Sequence, residues 1–202
     1  MCAANWRYLV TEYIRENAKP VDKFSHQPRL YALAARLAEG QPHDDDVLFA
    51  AAWMHDLGVF IGHRPEEPAA LAAWDNTKYA MERSPDILTG FGFPAEKVPA
   101  VVEAIRTHQP SGEPAGVEGM LLRDADILEQ LGAVAVLRTV SKVGRDTRFQ
   151  RFSDALKVLQ KNVEQLPSKL RLPSARREAD ARIKVLNDFL AAAAQETGAV
   201  EW

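Results

Sequence analysis

Phe49 to Gly58, FAAAWMHDLG, is the stretch whose reading decides the fold. It is an apolar run of small and aromatic residues ending in an adjacent His55 and Asp56. A helix that is apolar over most of its circumference is buried on several sides. An imidazole beside a carboxylate is costly to bury unless something compensates it, and a divalent cation is one such compensation. The rest of the chain is therefore read for further ligands and for the helices that would surround this one.

Working outward, the pattern is helical almost throughout. Trp6, Leu9, Tyr13 and Ile14 give residues 5–18 the spacing of an amphipathic helix that stops before Pro20. Ser25 is placed to cap a second helix with His26 in its first turn and Leu30, Leu33, Ala34 and Leu37 on one face, closed by Gly40 and Pro42. An Asp in the loop His43 to Asp46 caps the third helix, which runs to about Leu57. Residues 58–68 form an irregular connector carrying His63 and Arg64. Ala69 to Arg83 reads as a helix, with breaks at Pro85 and at GFGFP, Gly90 to Pro94. Ala95 to Thr107 is helical and ends at His108, followed by a Pro- and Gly-rich loop from Gln109 to Gly116. Helices then follow over Glu118 to Leu131 and Ala133 to about Val143. A basic irregular stretch, Lys142 to Phe152, precedes a helix from Ser153 to Leu166 and a last one capped by Ser174, with Gly198 past its end.

No alternating run long enough for a strand appears. The expectation is an all-α bundle in one domain over 1–202, with a core at about 20–150 and C-terminal helices, 153–198, packed on it.

The bulk properties narrow the function classes. A 47% hydrophobic and 26% charged composition is that of an ordinary globular chain. A net charge of -3 and a pI near 6.0 argue against a broad nucleic-acid surface. The single cysteine, Cys2, permits no intramolecular disulfide and no cysteine-based zinc site, which fits a reducing compartment. Arg7, Glu12, Arg15 and Glu16 interrupt the first 25 residues as a signal peptide would not allow, and no apolar run reaches the length of a membrane span. The reading is a soluble, cytoplasmic protein with neither a nucleic-acid polymer nor a membrane as partner.

Four groups fall on inward helical faces: His26, His55, Asp56 and Asp126, the last beside Leu122, Ala125 and Leu128. Taken singly, each has a bland alternative as a satisfied core residue. Together, two imidazoles and two carboxylates would neutralise a divalent ion, and mixed N/O ligation suits Mn, Fe, Ni, Co or Zn better than Ca. Lys142, Arg145 and Arg148 are placed either to bind phosphate or to form a solvated turn with Asp146. His63 and Arg64 offer a second possible phosphate contact.

His26, then HDLG at 55–58, then ADIL at 125–128 resembles the HD-domain metal-dependent phosphohydrolase superfamily. AIRTH (104–108) followed by RDADILEQLG (123–132) resembles its branch of small bacterial proteins. The resemblance spans about 20–150. It implies a helical bundle, one metal ion held by His26, His55, Asp56 and Asp126, and hydrolysis of a small phosphorylated substrate by activated water. Asp56, a candidate catalytic residue, or Asp126 would orient that water as well as hold the metal. The resemblance makes His108 a candidate for a further histidine that binds phosphate or a second metal; otherwise His108 is a helix C-terminal residue favoured by the dipole. Asp124 could orient a ligand or be a helix N-terminal carboxylate.

Asp75-Asn76 stands where a two-metal branch would carry histidine. Leu57, Gly58 and Val59 lack the acidic groups of the branches that cleave guanosine tetraphosphate or deoxynucleotide monophosphates. No GYP signature of the cyclic-dinucleotide branch is present. Two rival readings remain: a di-iron oxygenase on an HD-like scaffold, and a non-catalytic metal-containing ligand-sensing module.

Overall fold

A computed structural model describes residues 5–198. Among these the chain is all-α, with ten α-helices, four short 3-10 turns and no strand. Among the described residues no helix is long and apolar enough to cross a membrane. Cys2 lies outside the described residues.

The helices are α1 (Trp6–Asn17), α2 (His26–Leu37), α3 (Asp45–Met54), α4 (Pro68–Ala72), α5 (Asn76–Gly90), α6 (Val98–Thr107), α7 (Val117–Glu129), α8 (Gly132–Val140), α9 (Phe152–Gln165) and α10 (Pro173–Thr197). They form two compact units, one ending at Arg123 and one beginning at Asp124, so the division falls inside α7.

The first unit is built on α3. Val47 to Met54 are all buried, and α1, α2, α5 and α6 pack against this helix. Ala50, Ala51 and Ala52 keep the helix slim enough for neighbours on several sides. Leu48, Phe49, Trp53 and Met54 supply the apolar area, worth roughly 1.5–3 kcal/mol for each large side chain buried. Trp6 of α1 meets Phe49 edge-on, and Phe49 stacks on Trp53. Asp44 caps α3 by accepting from the backbone N–H groups of Asp46 and Val47. In the second unit α8, α9 and α10 pack on one another around Ala155, Leu159, Ala175, Ala179 and Leu186.

Several boundaries differ from the sequence reading for local reasons. Ala69 to Arg83 is not one helix. Glu67 caps a single short helix, α4, and Asp75 accepts from Lys78 N–H to start α5 afresh. Pro85 does not end α5 but lies inside it. A proline there forfeits one backbone hydrogen bond, yet the helix continues because Ala80 and Leu88 on either side are buried. Ser25 closes a 3-10 turn rather than bonding to the start of α2. Pro173 and not Ser174 begins α10, and Asp124 takes the backbone N–H groups of Arg171 and Leu172 just before it, at 2.8 and 2.7 Å. Helix α3 ends at Met54, which leaves His55 at its C-cap and Asp56 beyond it.

Candidate metal centre

The end of α3 sets the orientation of His55. The last carbonyls of a helix have no intrahelical donor. The His55 backbone N–H takes the Ala51 carbonyl at 3.0 Å, and its ring Nδ1 lies 2.9 Å from the Ala52 carbonyl. A carbonyl oxygen only accepts, so the ring proton sits on Nδ1 and the Nε2 lone pair is directed away from the helix. A metal-ligating histidine is oriented in the same way.

The Nε2 lone pair of His55 meets two other donors. Asp56 Oδ1 is 3.6 Å from His55 Nε2, and Asp56 Oδ2 is 3.8 Å from Nε2 of His26, the first residue of α2. The two imidazoles meet edge to face at 5.3 Å between centroids. One ligand atom from each residue lies within 4.8 Å of the other two. These separations exceed hydrogen-bond length. They match the spacing of about 3–4 Å between atoms that share one ion at roughly 2.0–2.2 Å. The donor set, two buried nitrogens and one carboxylate, therefore fits a divalent ion of the mixed N/O type. The side chain of Asp56 is 19% exposed against 4% for His26 and 1% for His55, so the centre meets solvent on the Asp56 side.

His108 repeats the device at the end of α6. Its Nδ1–H donates to the Ile105 carbonyl at 2.6 Å, and its ring lies 5.1 Å from that of His55. His26, His55 and His108 thus form a row of three buried rings.

The turn after Asp56 is held from outside. The Trp74 indole N–H donates to the Gly58 carbonyl at 2.8 Å. A Cβ on Gly58 would stand 2.5 Å from the backbone oxygen of Asn76, so only glycine lets α5 approach this closely.

The HD domain family matches residues 24–131, more than half of the chain. The chain belongs to this family. YpgQ from Bacillus subtilis is similar in structure, with a TM-score of 0.75 and 18% identity, covering 98% of this chain and 99% of YpgQ. The complex of YpgQ with ADP has a TM-score of 0.74 at 18% identity, covering 99% of each chain. A predicted HD superfamily hydrolase from an uncultured Thermotogales bacterium has a TM-score of 0.65 and 25% identity, covering 95% of this chain and 92% of that one. No curated protein matches the chain significantly in sequence.

The other candidate residues have separate surroundings. His63 is held at both nitrogens: Nε2 bonds to Asn17 Oδ1 and Nδ1 to the Tyr79 hydroxyl, each at 3.0 Å. This makes it a clamp on the 58–64 connector, a role that leaves no ring nitrogen for phosphate while the clamp is made. The Arg64 backbone N–H bonds to the Phe60 carbonyl, within the same connector.

Asp124, expected near a ligand or at a helix N-terminus, is buried mid-helix and bonds to the chain leading into α10. Asp126 lies in the second unit on α7, where its Oδ2 accepts from Gln130 at 3.3 Å. Arg148 forks onto Asp146 at 3.1 and 2.8 Å and holds that carboxyl down at about 2. Arg145 donates to the Ser141 carbonyl, and the Lys142 ammonium sits 5.3 Å over the Phe149 ring. The Asp146 partner expected for a solvated turn is thus present, on Arg148. Sequence reasoning missed Gln109, which bonds to His108 at 3.0 Å. Its one signal was its place directly after a histidine at a helix end.

Proposed function

We propose that the chain is a metal-dependent phosphohydrolase acting on a nucleotide or another small phosphorylated metabolite. The observation that carries this reading is the convergence of His26, His55 and Asp56 within 4.8 Å, with the His55 proton on Nδ1. These three residues would hold one divalent ion, and Asp126 is the proposed fourth ligand. Such an ion, when bound, polarises a phosphoryl oxygen and lowers the pKa of a water towards neutrality.

The chain's own residues do the rest. His26 and His55 close the inner side of the centre to solvent. Asp56 has one carboxylate oxygen nearer each imidazole and is the most exposed of the three, so it orients the incoming water. His108, fixed through its Nδ1–H by the Ile105 carbonyl, stands beside His55 and is the proposed neighbour of the phosphoryl group. The similarity to HD superfamily hydrolases supports hydrolysis, and the ADP complex of YpgQ supports a small phosphorylated ligand.

The test is elemental analysis of the untreated full chain, followed by phosphate release from a panel of nucleotides and general phosphate esters with Mn, Ni or Co. Asp56→Ala should lower turnover at least about a thousandfold, since a metal supplies several kcal/mol of transition-state stabilisation. A wild type without metal-dependent turnover, or a variant that keeps it, overturns the proposal. So does a preparation holding two irons that consumes oxygen.

A further inference from the structure

The loop after α6 starts with a tight, anchored turn. Gly112 N–H donates to the Gln109 carbonyl at 2.7 Å, closing a four-residue turn over Gln109–Gly112. Gly112 presses so closely on the Thr107 carbonyl that no Cβ fits there. The Pro110 carbonyl accepts from Arg123 Nη2 at 2.7 Å, and Arg123 is 2% exposed. Placing a guanidinium in the interior is expensive. Here it fixes a surface turn from beneath.

What this turn presents is the Gln109 side chain. Gln109 is exposed, whereas the His108 ring it touches is 1% exposed. Because the His108 proton is on Nδ1, Nε2 is an acceptor, and the Gln109 amide donates to it at 3.0 Å. One amide hydrogen is thereby used. The second N–H and the carbonyl of Gln109 make no other side-chain hydrogen bond among the described residues. His108 does not need the amide to hold its orientation, since the Ile105 carbonyl and burial already do so. Gln109 therefore links the row of buried histidines to solvent on the His108 side, with a donor to spare.

We propose that Gln109 contacts the substrate, donating its second amide hydrogen to a phosphoryl oxygen and seating that group beside His108. This rests on the phosphohydrolase reading for the identity of the ligand. A neutral amide suits the task because it can donate to His108 Nε2 and to the oxyanion at once.

The probe is ADP, titrated calorimetrically into the metal-loaded full chain as wild type, Gln109→Ala, Gln109→Asn and Gln109→Glu. One lost hydrogen bond to a charged group should weaken binding about tenfold in Gln109→Ala. Gln109→Glu should weaken it further by repulsion, and Gln109→Asn, one methylene short, should fall between Gln109→Ala and wild type. Metal content and thermal midpoint should not change. With a hydrolysed substrate, the loss should fall on KM rather than kcat.

Unchanged or tighter ADP binding in Gln109→Ala overturns the inference, as does loss of metal from that variant or a wild type that does not bind ADP at millimolar concentration. Wild type that binds ADP but hydrolyses nothing on the panel overturns the phosphohydrolase reading alone. Active wild type whose Gln109 variants keep both Kd and KM overturns only the role of Gln109.

Discussion

The two ends of α3 carry carboxylates and treat them differently. At the N-terminal end Asp44, Asp45 and Asp46 are answered by the chain's own cations. Arg7 reaches Asp45 at 2.8 Å and Asp46 at 2.6 Å, and Lys97 reaches Asp44 and Asp46 at 2.9 Å. The Tyr31 hydroxyl donates to Asp45 at 2.8 Å, and the helix N-terminus itself favours negative charge. At the C-terminal end Asp56 faces two imidazole nitrogens at 3.6 and 3.8 Å. The first spacing is that of charge-assisted hydrogen bonds and the second that of ligands around an ion. One end stabilises the fold from within, and the other gathers three donors that could hold a metal ion.

The largest break in this contrast is removal of the metal. An ion that binds only the folded chain stabilises it by about 4 kcal/mol at a thousand times its Kd. For a chain of this size that is roughly 8–16 °C of thermal midpoint. Chelation should lower the midpoint by this order, and Mn, Ni or Co should restore it. Asp56→Ala should already sit at the lower value and respond to neither. A midpoint indifferent to chelation would place both ends of α3 in the same structural class.

Gly58→Ala should be next in size. The added methyl meets the backbone of Asn76 at 2.5–3.0 Å, and backbone cannot swing aside as a flexible side chain can. Overpacking of this kind costs about 1–3 kcal/mol. Because the displaced turn begins at Asp56, the variant should lose metal affinity as well as stability. Equilibrium dialysis against chelex-treated buffer would separate the two losses. A variant that is less stable but binds metal as wild type does would show that the turn does not position Asp56.

The N-terminal end predicts a smaller effect of another kind. Arg7→Ala should cost about 1–2 kcal/mol, given hydrogen bonds to charged groups discounted for partial exposure, and leave metal content and turnover intact. Burial alone would raise the Asp44 carboxyl, but its bonds to Lys97 and to the N–H groups of Val47 and Asp46 outweigh this and lower it. The hydrogen bonds of Arg7 and Lys97 lower Asp46. A carboxylate lowered in the fold gives stability that is complete above its ordinary pKa, near 3.8, and is lost as pH falls through the lowered value. Denaturation of wild type below pH 4 should therefore be steeper than that of Arg7→Ala, whose Asp46 has lost a partner.

How much of this was readable in advance differs by level. The all-α class followed from periodicity, and α3 followed from an apolar run too complete for a surface helix. Inward helical faces made His26, His55 and Asp56 candidates for one centre, and the resemblance strengthened the grouping, because a histidine on an apolar face has no spacing that names a partner on another helix. Pro85 misled because a local rule about proline was overridden by burial on both sides. The bonds of Asp124 to Arg171 and Leu172 were not legible because these residues lie 47 and 48 positions away, and no local pattern encodes such a contact. Gln109 was overlooked because it begins a loop, and its meaning lies in the tautomer of the residue before it.

The smallest effect belongs to His63, which tests whether proximity to the HD turn in sequence implies membership of the centre. Its Nε2–H donates to Asn17 Oδ1, and its Nδ1 accepts from the Tyr79 hydroxyl, so the neutral ring is the bonded form. Burial, and then the charge of Arg83, push its pKa below the ordinary 6.5. The unfolded chain therefore binds the proton first, and stability declines as pH falls from about 6.5 towards the lowered value, then levels off. His63→Asn removes that slope. Urea titrations of wild type and variant between pH 7 and 5 should converge on the acid side, with unchanged metal content at pH 7. Loss of metal in His63→Asn would make the 58–64 clamp part of the centre, and a parallel pH dependence in the two chains would show that the neutral ring is not what the fold selects.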